Sequence, residues 1–235
     1  MGVKMIKIGN IIVTHKSTFE RNEEAKKPYK VNFGFTRDTY SERLVENPFL
    51  FRNIIPPPAK VLDVGCWESI NSISLAMLGY DVTGIDMMPY GYKHKNFTFI
   101  QDDFLKHDFG NERFDVVVDI SAIEHFGLLS YATKERNDNA HIEAMNKIKR
   151  LLKPQGQLIF TAPYGVHNEV PNFERIFDDN DLNKLLSGFS IKEEKTFLVN
   201  RKEGVIEIPK AQAVKIPHDE DKGIYSIICI NAFKV

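Results

Sequence analysis

The sequence predicts a doubly wound α/β fold, and three observations carry that prediction. From residue 61 onward short apolar segments of strand length alternate with amphipathic helical ones. The first segment, VLDVG at 61–65, is apolar on both faces, as a buried parallel strand requires. The chain of 235 residues, 43% hydrophobic and 27% charged, is long enough to bury a substantial core as one domain.

The elements follow in order. After VLDVG, the segment ESINSISLAMLG places Ile70, Ile73, Ala76 and Met77 at helical spacing, and Gly79 is set to end the helix. DVTGID (81–86), FTFI (97–100) and FDVVVDI (114–120) read as the next three strands. A long helix is expected from about Asp138 to Leu152, with Ile142, Met145, Ile148, Leu151 and Leu152 on one face and Pro154 stopping it. QLIFTA (157–162) is the fifth strand. Asp178 is positioned to cap a helix over DNDLNKLL, with Asp181 in the capping-box position. Strands around 190–199 and 224–233 complete a sheet of about seven, and the polar stretch 201–223 between them reads as a long surface excursion.

Composition narrows the function. No apolar run approaches the roughly 20 residues that span a bilayer, and the N-terminus has no apolar core of signal-peptide length. Cys66 and Cys229 lie far apart with no Cys or His cluster near them, which argues for a reducing compartment, with cytoplasm the default, and against a zinc site. No metal site is expected. Net charge is −1, so no polyanionic partner is advertised. Residues 1–60 nevertheless hold 11 Lys and Arg against 6 Asp and Glu, and a solvated basic surface is the expected explanation. The sequence leaves a homodimer open.

In a doubly wound sheet ligands bind beyond the carboxyl ends of the strands, where strand order reverses. Residues following the strands therefore matter most. After the first come Asp63, Gly65, Cys66 and Trp67, where Gly65 permits a tight turn against a ligand. After the second comes Asp86, a carboxylate suited to both hydroxyls of a ribose, followed by Met87. After the third come Asp103 and Phe104, an acid beside an aromatic, suited to an exocyclic amine and a flat base. After the fourth come Asp119, Ile120, Ser121, Glu124 and His125.

With those motifs in this order, residues 60–163 resemble a class I S-adenosylmethionine-dependent methyltransferase. VLDVGCWES, TGID, FIQDDF, FDVVVDISAIEH and LLKPQGQLIFTAPYG stand where that family has its cofactor motifs. The likeness extends over about residues 37–200 to a subgroup linked to surface-glycan or small-molecule modification, through SERLVENP, GCWES and SAIEHFGLLSY. The resemblance implies a Rossmann-like sheet with an antiparallel last strand, and S-adenosylmethionine as cofactor. It implies that Asp63, Gly65 and Cys66 border the methionine and ribose, where Trp67 either lines the cofactor pocket or obstructs it, and that Asp86 and Met87 hold the ribose and flank the adenine. Asp103 and Phe104 would address the adenine, and Asp119, Ile120 and Ser121 would lie beside the sulfonium. Residues 1–55 would form a helical cap over a methyltransferase domain at 56–235.

Trp67 replaces the middle glycine of the family loop, and Leu129-Ser130 replaces the usual Gly-Arg. A left-handed backbone at residue 67 would penalise tryptophan by roughly 1–2 kcal/mol against glycine. Methyl transfer to a hydroxyl or ammonium also requires loss of a proton, and His125, oriented by Glu124, is the expected general base. Tyr131, Tyr164 and His167 are expected to line the acceptor pocket, and Arg175 to bind an anionic acceptor or pair with nearby acids. The expected function is methyl transfer to oxygen or nitrogen of a small molecule, a sugar or glycan precursor among them. Two alternatives stay open: a catalytically silent Rossmann-like binding module, motivated by Trp67, and an RNA methyltransferase, motivated by the basic N-terminal segment. A nicotinamide enzyme is disfavoured by Asp63 and by the lack of GxGxxG.

Overall fold

The computed structural model describes residues 5–8, 11–14, 40–219 and 221–235. Two short strands, β1 (Met5–Ile8) and β2 (Ile11–Thr14), pair antiparallel with each other. Helix α1 spans Arg43–Asn53. Of the expected helical cap over 1–55, then, the described residues supply one helix and one strand pair; residues 1–4, 9–10 and 15–39 lie outside them. β-branched residues at 6, 8 and 11–14 favour strand over helix there.

The central sheet has eight strands: β3 (Lys60–Val64), β4 (Asp81–Asp86), β5 (Phe97–Gln101), β6 (Phe114–Ile120), β7 (Leu152–Pro163), β10 (Phe189–Asn200), β11 (Gly204–Ile208) and β12 (Ile224–Lys234). Their order is β11-β10-β12-β7-β6-β3-β4-β5, and β8 (Asn168–Val170) and β9 (Glu174–Ile176) form a separate pair. β3 through β7 run parallel, and β12 enters antiparallel beside β7, as expected. The excursion expected at 201–223 contains β11, which makes the eighth strand, and the short helix α5 (Lys210–Ala213). GVIEI between a turn and Pro209 carries enough β-branched character to pair with β10.

The alternation of side chains along each strand divides the core into two layers. Leu62, Val64 and Val117 meet α3 (Ala140–Leu151) through Met145 and Ile148, and α4 (Asp179–Leu185) through Leu182 and Leu185. Val61, Val116 and Val118 meet α1 through Phe49 and Leu50, and α2 (Asn71–Met77) through Leu75 and Ala76. Helix α2 buries Asn71, Ser72, Leu75 and Ala76, whereas Met77 is 72% exposed, so the expected apolar face is rotated. The Ser72 hydroxyl donates to the buried Asp63 carboxylate, and that polar bond sets the face presented. Helix α4 begins in the expected capping box, Asp178 accepting from the backbone of Asn180 and Asp181.

The chain leaves β3 toward β4 and β5 on one side, then returns to place β6 on the other. The reversal falls between β3 and β6. The loops leaving their carboxyl ends, 65–70 and 121–131, flank the crevice where such sheets take ligands.

Candidate functional site

Gly65 turns the chain out of β3 with φ +73, and a Cβ there would stand 2.4 Å from Ala122 Cβ. The contact locks the first loop against the loop after β6. Gly65→Ala is therefore expected to lower stability by roughly 2 kcal/mol or more, read as a drop in melting temperature. Trp67 is not left-handed, so the penalty such a backbone would carry does not arise; the neighbouring Glu68 is, with φ +57. The Trp67 indole meets the exposed Tyr131 edge-on, with ring centroids 5.9 Å apart. Its backbone N–H donates to Asp86 Oδ2 at 2.9 Å, while Met88 N–H donates to Oδ1 at 2.8 Å. Asp86 thus ties the loop after β4 to the loop after β3. A carboxylate has about four acceptor positions, more than these backbone donors fill, so acceptor capacity remains for a ligand's hydroxyl.

Asp63 and Asp119 complete an acidic set at the switch point. Asp63 accepts from Ser72 at 2.6 Å, and Asp119 Oδ1 accepts from Ile123 N at 3.2 Å. Asp119 Oδ2 is buried without a partner. Burial pushes these carboxyls up, Asp63 to about 7, Asp86 to about 6 and Asp119 to about 8. Such a set fits a ligand carrying hydroxyls and positive charge, since a cation restores the ionised form that burial disfavours.

Of the other cofactor candidates, Gly65, Met87 and Ile120 lie at strand ends with the acids, Met87 accepting a bond from Gln101 through its carbonyl. Cys66 is fully buried, with its thiol pushed well up by that burial, so only its backbone borders the loop. Phe104 departs from its expected role. Its ring is in the core against Phe109 and Phe126, at 6.0 and 5.9 Å, and offers no free face to a base. Asp103 caps its own turn by accepting from Leu105 N and faces Lys106. Tyr90, not named in the sequence reading, donates its hydroxyl to Ser69 O in the loop after β3 and packs its ring on Tyr92, Phe97 and Phe99. No periodic signal marks it, because it stands in a loop.

Ser121, with φ +48, donates its backbone N–H to Thr161 and its hydroxyl to Glu46 Oε1 at 2.5 Å. Glu46 is completely buried in α1, accepts from Thr161 Oγ1 at 2.7 Å, and pairs with Arg43 at 2.5 Å. This carboxylate was visible in SERLVENP but not singled out, since a lone acid in an amphipathic helix ordinarily faces water.

Around the loop after β6, His125 places Nδ1 2.5 Å from Phe173 O and Nε2 3.8 Å from Glu124 Oε1. A carbonyl only accepts, so Nδ1 carries the hydrogen and Nε2 the lone pair. Burial holds His125 down at about 4, a neutral ring and a weaker base than expected. Tyr131 and Phe173 cover its ring at 5.1 and 4.9 Å. Glu124 is 1% exposed, and its carboxyl is raised well above the usual range by burial and by Glu174 and Asp119.

Three expected acceptor contacts do not join this group. Tyr164 is fully buried in the core and its hydroxyl donates to Asp179. His167, 68% exposed at the side chain, pairs with Asp181 at the cap of α4. Arg175 is buried, braces the 124–126 turn by donating through Nη1 to the carbonyls of Glu124 and Phe126, and has no hydrogen-bond partner at Nη2.

A methyltransferase-domain family profile matches residues 36–194. A candidate methyltransferase of Bacillus subtilis (strain 168), YqeM, is 27% identical over 150 residues, which are 60% of this chain and 58% of that protein. The ribosomal RNA large subunit methyltransferase E of Brachyspira hyodysenteriae (strain ATCC 49526 / WA1) is 31% identical over 155 residues, 62% of this chain and 69% of the relative. The chain thus spans less than two thirds of the first of these relatives. Among solved structures, the 1,6-didemethyltoxoflavin-N1-methyltransferase of Burkholderia thailandensis, with bound 1,6-didemethyltoxoflavin and S-adenosylhomocysteine, superposes with a TM-score of 0.53 at 17% identity. The likeness covers 82% of this chain and 77% of that one. The [4+2]-cyclase SpnF superposes at 0.60 and 18% identity over 92% of both chains. At such identities the likeness is one of fold, and one fold serves more than one chemistry.

Proposed function

The chain belongs to the methyltransferase-domain family, and from that premise we propose that it uses S-adenosylmethionine to methylate oxygen or nitrogen of a small molecule, sugars and glycan precursors included. The observation that carries the reading is Asp86, a mostly buried carboxylate with both oxygens anchored by loop backbone and acceptor capacity left over. When bound, S-adenosylmethionine supplies an activated methyl group on a sulfonium. The work left to this chain is alignment and, for a hydroxyl or ammonium acceptor, passage of the displaced proton to a base or to solvent. Asp86 takes the ribose hydroxyls, and Asp63 and Asp119 hold positive charge at the switch point. Tyr131, His125 and Glu124 form the wall on which the acceptor is oriented. Incubation with methyl-labelled S-adenosylmethionine and a panel of sugars, hydroxylated metabolites and amines is expected to label at least one small molecule; labelling of RNA alone would overturn the small-molecule assignment.

The acids give the reading a pH signature. Carboxyls whose folded pKa is raised bind more protons folded than unfolded. The contribution of Asp63 and Asp119 to the stability of the ligand-free protein therefore falls as pH rises from about 4 through about 8. A cationic ligand favours the ionised acids, so it binds more tightly as pH rises through the same window. The melting-temperature increase caused by S-adenosylmethionine is expected to be larger at pH 8 than at pH 6. S-adenosylhomocysteine, which lacks the sulfonium charge, should show a smaller difference. An equal shift at both pH values would remove these acids from cation binding.

An RNA acceptor is the second reading, favoured by the similarity to the Brachyspira ribosomal RNA enzyme. It predicts RNA binding that weakens steeply with added salt.

A further inference from the structure

We propose that Glu124, His125 and Glu174 form a binding site for a divalent transition-metal cation. One ligand atom from each lies within 4.8 Å of the others, a spread that a single ion can bridge. The three come from two elements: the turn after β6 supplies Glu124 and His125, and β9 supplies Glu174.

Each donor is held as a metal ligand is held. Phe173 O fixes the His125 tautomer, leaving the Nε2 lone pair toward Glu124. His218 Nε2 stands 3.3 Å from Glu174 Oε1 and orients that carboxylate. Arg175 braces the Glu124 carbonyl from behind, without engaging the carboxylate. Such outer contacts, a carbonyl on the second imidazole nitrogen and a partner on the carboxylate, are the usual setting of a protein-bound metal.

The independent sign is Glu124 itself. Its Oε2 is buried with no hydrogen-bond partner, and the acids Glu174, Asp119 and Glu46 all crowd its charge. The Arg43 guanidinium acts on this carboxylate through space without bonding to Oε2, and a buried oxygen left without a bond is costly unless a ligand completes it. The His125 and Glu174 side chains, 14% and 12% exposed, leave an approach from solvent. One imidazole with two carboxylates suits Mn²⁺ or Zn²⁺ better than Mg²⁺ or Ca²⁺, which prefer oxygen alone.

The site adjoins the acceptor wall, because the His125 ring meets Tyr131, which in turn meets Trp67. A cation held by three ligands keeps open positions, and an acceptor hydroxyl entering one of them would be fixed and acidified. Only this consequence rests on the methyl-transfer reading; cation binding stands apart from it.

Calorimetric titration of the whole metal-stripped chain with MnCl₂ and ZnCl₂ is the test. Saturable binding of one ion per chain is expected, tighter for Zn²⁺ than for Mn²⁺. Glu174→Gln, partly exposed and the less disruptive change, should weaken it about ten- to a hundredfold. Pulsed paramagnetic resonance of the Mn²⁺ form should show a coupled imidazole nitrogen that is lost in His125→Asn. Absence of saturable binding to the wild-type chain, or an affinity and nitrogen coupling unchanged in both variants, would overturn the site. S-adenosylmethionine titrated into the same metal-free samples reports the cofactor site separately, so the two readings fail independently.

Discussion

Asp86→Ala is expected to weaken S-adenosylmethionine binding by about a hundredfold or more while leaving the protein folded. Two hydrogen bonds from ligand hydroxyls to a carboxylate are worth about 1.5 kcal/mol or more each, and about 3 kcal/mol corresponds to a hundredfold. Removing the carboxylate also frees Trp67 N–H and Met88 N–H, which now fix the two loops that face the ligand. Asp86→Asn separates these effects. The amide oxygen still serves one backbone donor, so the loss should be smaller than in the alanine variant. Equal binding by wild type and Asp86→Ala in calorimetry would place the ribose elsewhere.

The second large effect is on stability. Glu46→Ala removes a completely buried carboxylate that accepts from Ser121 and Thr161 and pairs with Arg43. Breaking a buried pair by deleting one partner costs about 3–5 kcal/mol, which for a chain of this size is a drop of roughly 6–20 °C in melting temperature. Burial and the nearby Glu42 raise the Glu46 carboxyl while Arg43 opposes them, so the neutral amide of Glu46→Gln fits the same place with a smaller loss. The consequence reaches the site, since Glu46 is what joins α1 to the left-handed turn at Ser121. A melting temperature for Glu46→Ala within a degree or two of wild type would show that this bond set does not hold α1 on the sheet.

Much of the architecture was legible because hydrophobic period and strand length are local. VLDVG, DVTGID, FDVVVDI and QLIFTA became β3, β4, β6 and β7, and the Asp178 cap began α4 as its spacing required. What local pattern could not show was decided by tertiary contacts. Ser72 turned the face of α2 because it bonds to Asp63, and β11 formed because β10 offered it an open edge. The same division holds at the candidate site. Asp63, Asp86 and Asp119 could be picked out because they end strands at the switch point. Glu46 and Glu174 could not, for their meaning comes from partners 75 and roughly 50 positions away, Ser121 and the Glu124–His125 turn. Phe104, Tyr164 and Arg175 had the right residue types for a pocket, but the fold uses them for core packing and bracing.

Trp67 motivates the alternative of a site that no longer binds. Its indole leans on Tyr131 and its backbone N–H donates to Asp86, so the residue takes part in the loop that the acids organise. The most direct measurement is a calorimetric titration of the wild-type chain with S-adenosylmethionine. One-site binding, retained in Trp67→Gly and weakened about a hundredfold in Asp86→Ala, is the predicted result. No heat of binding for the wild type up to millimolar ligand, or binding gained only on Trp67→Gly, would contradict it and leave a silent module of the same fold.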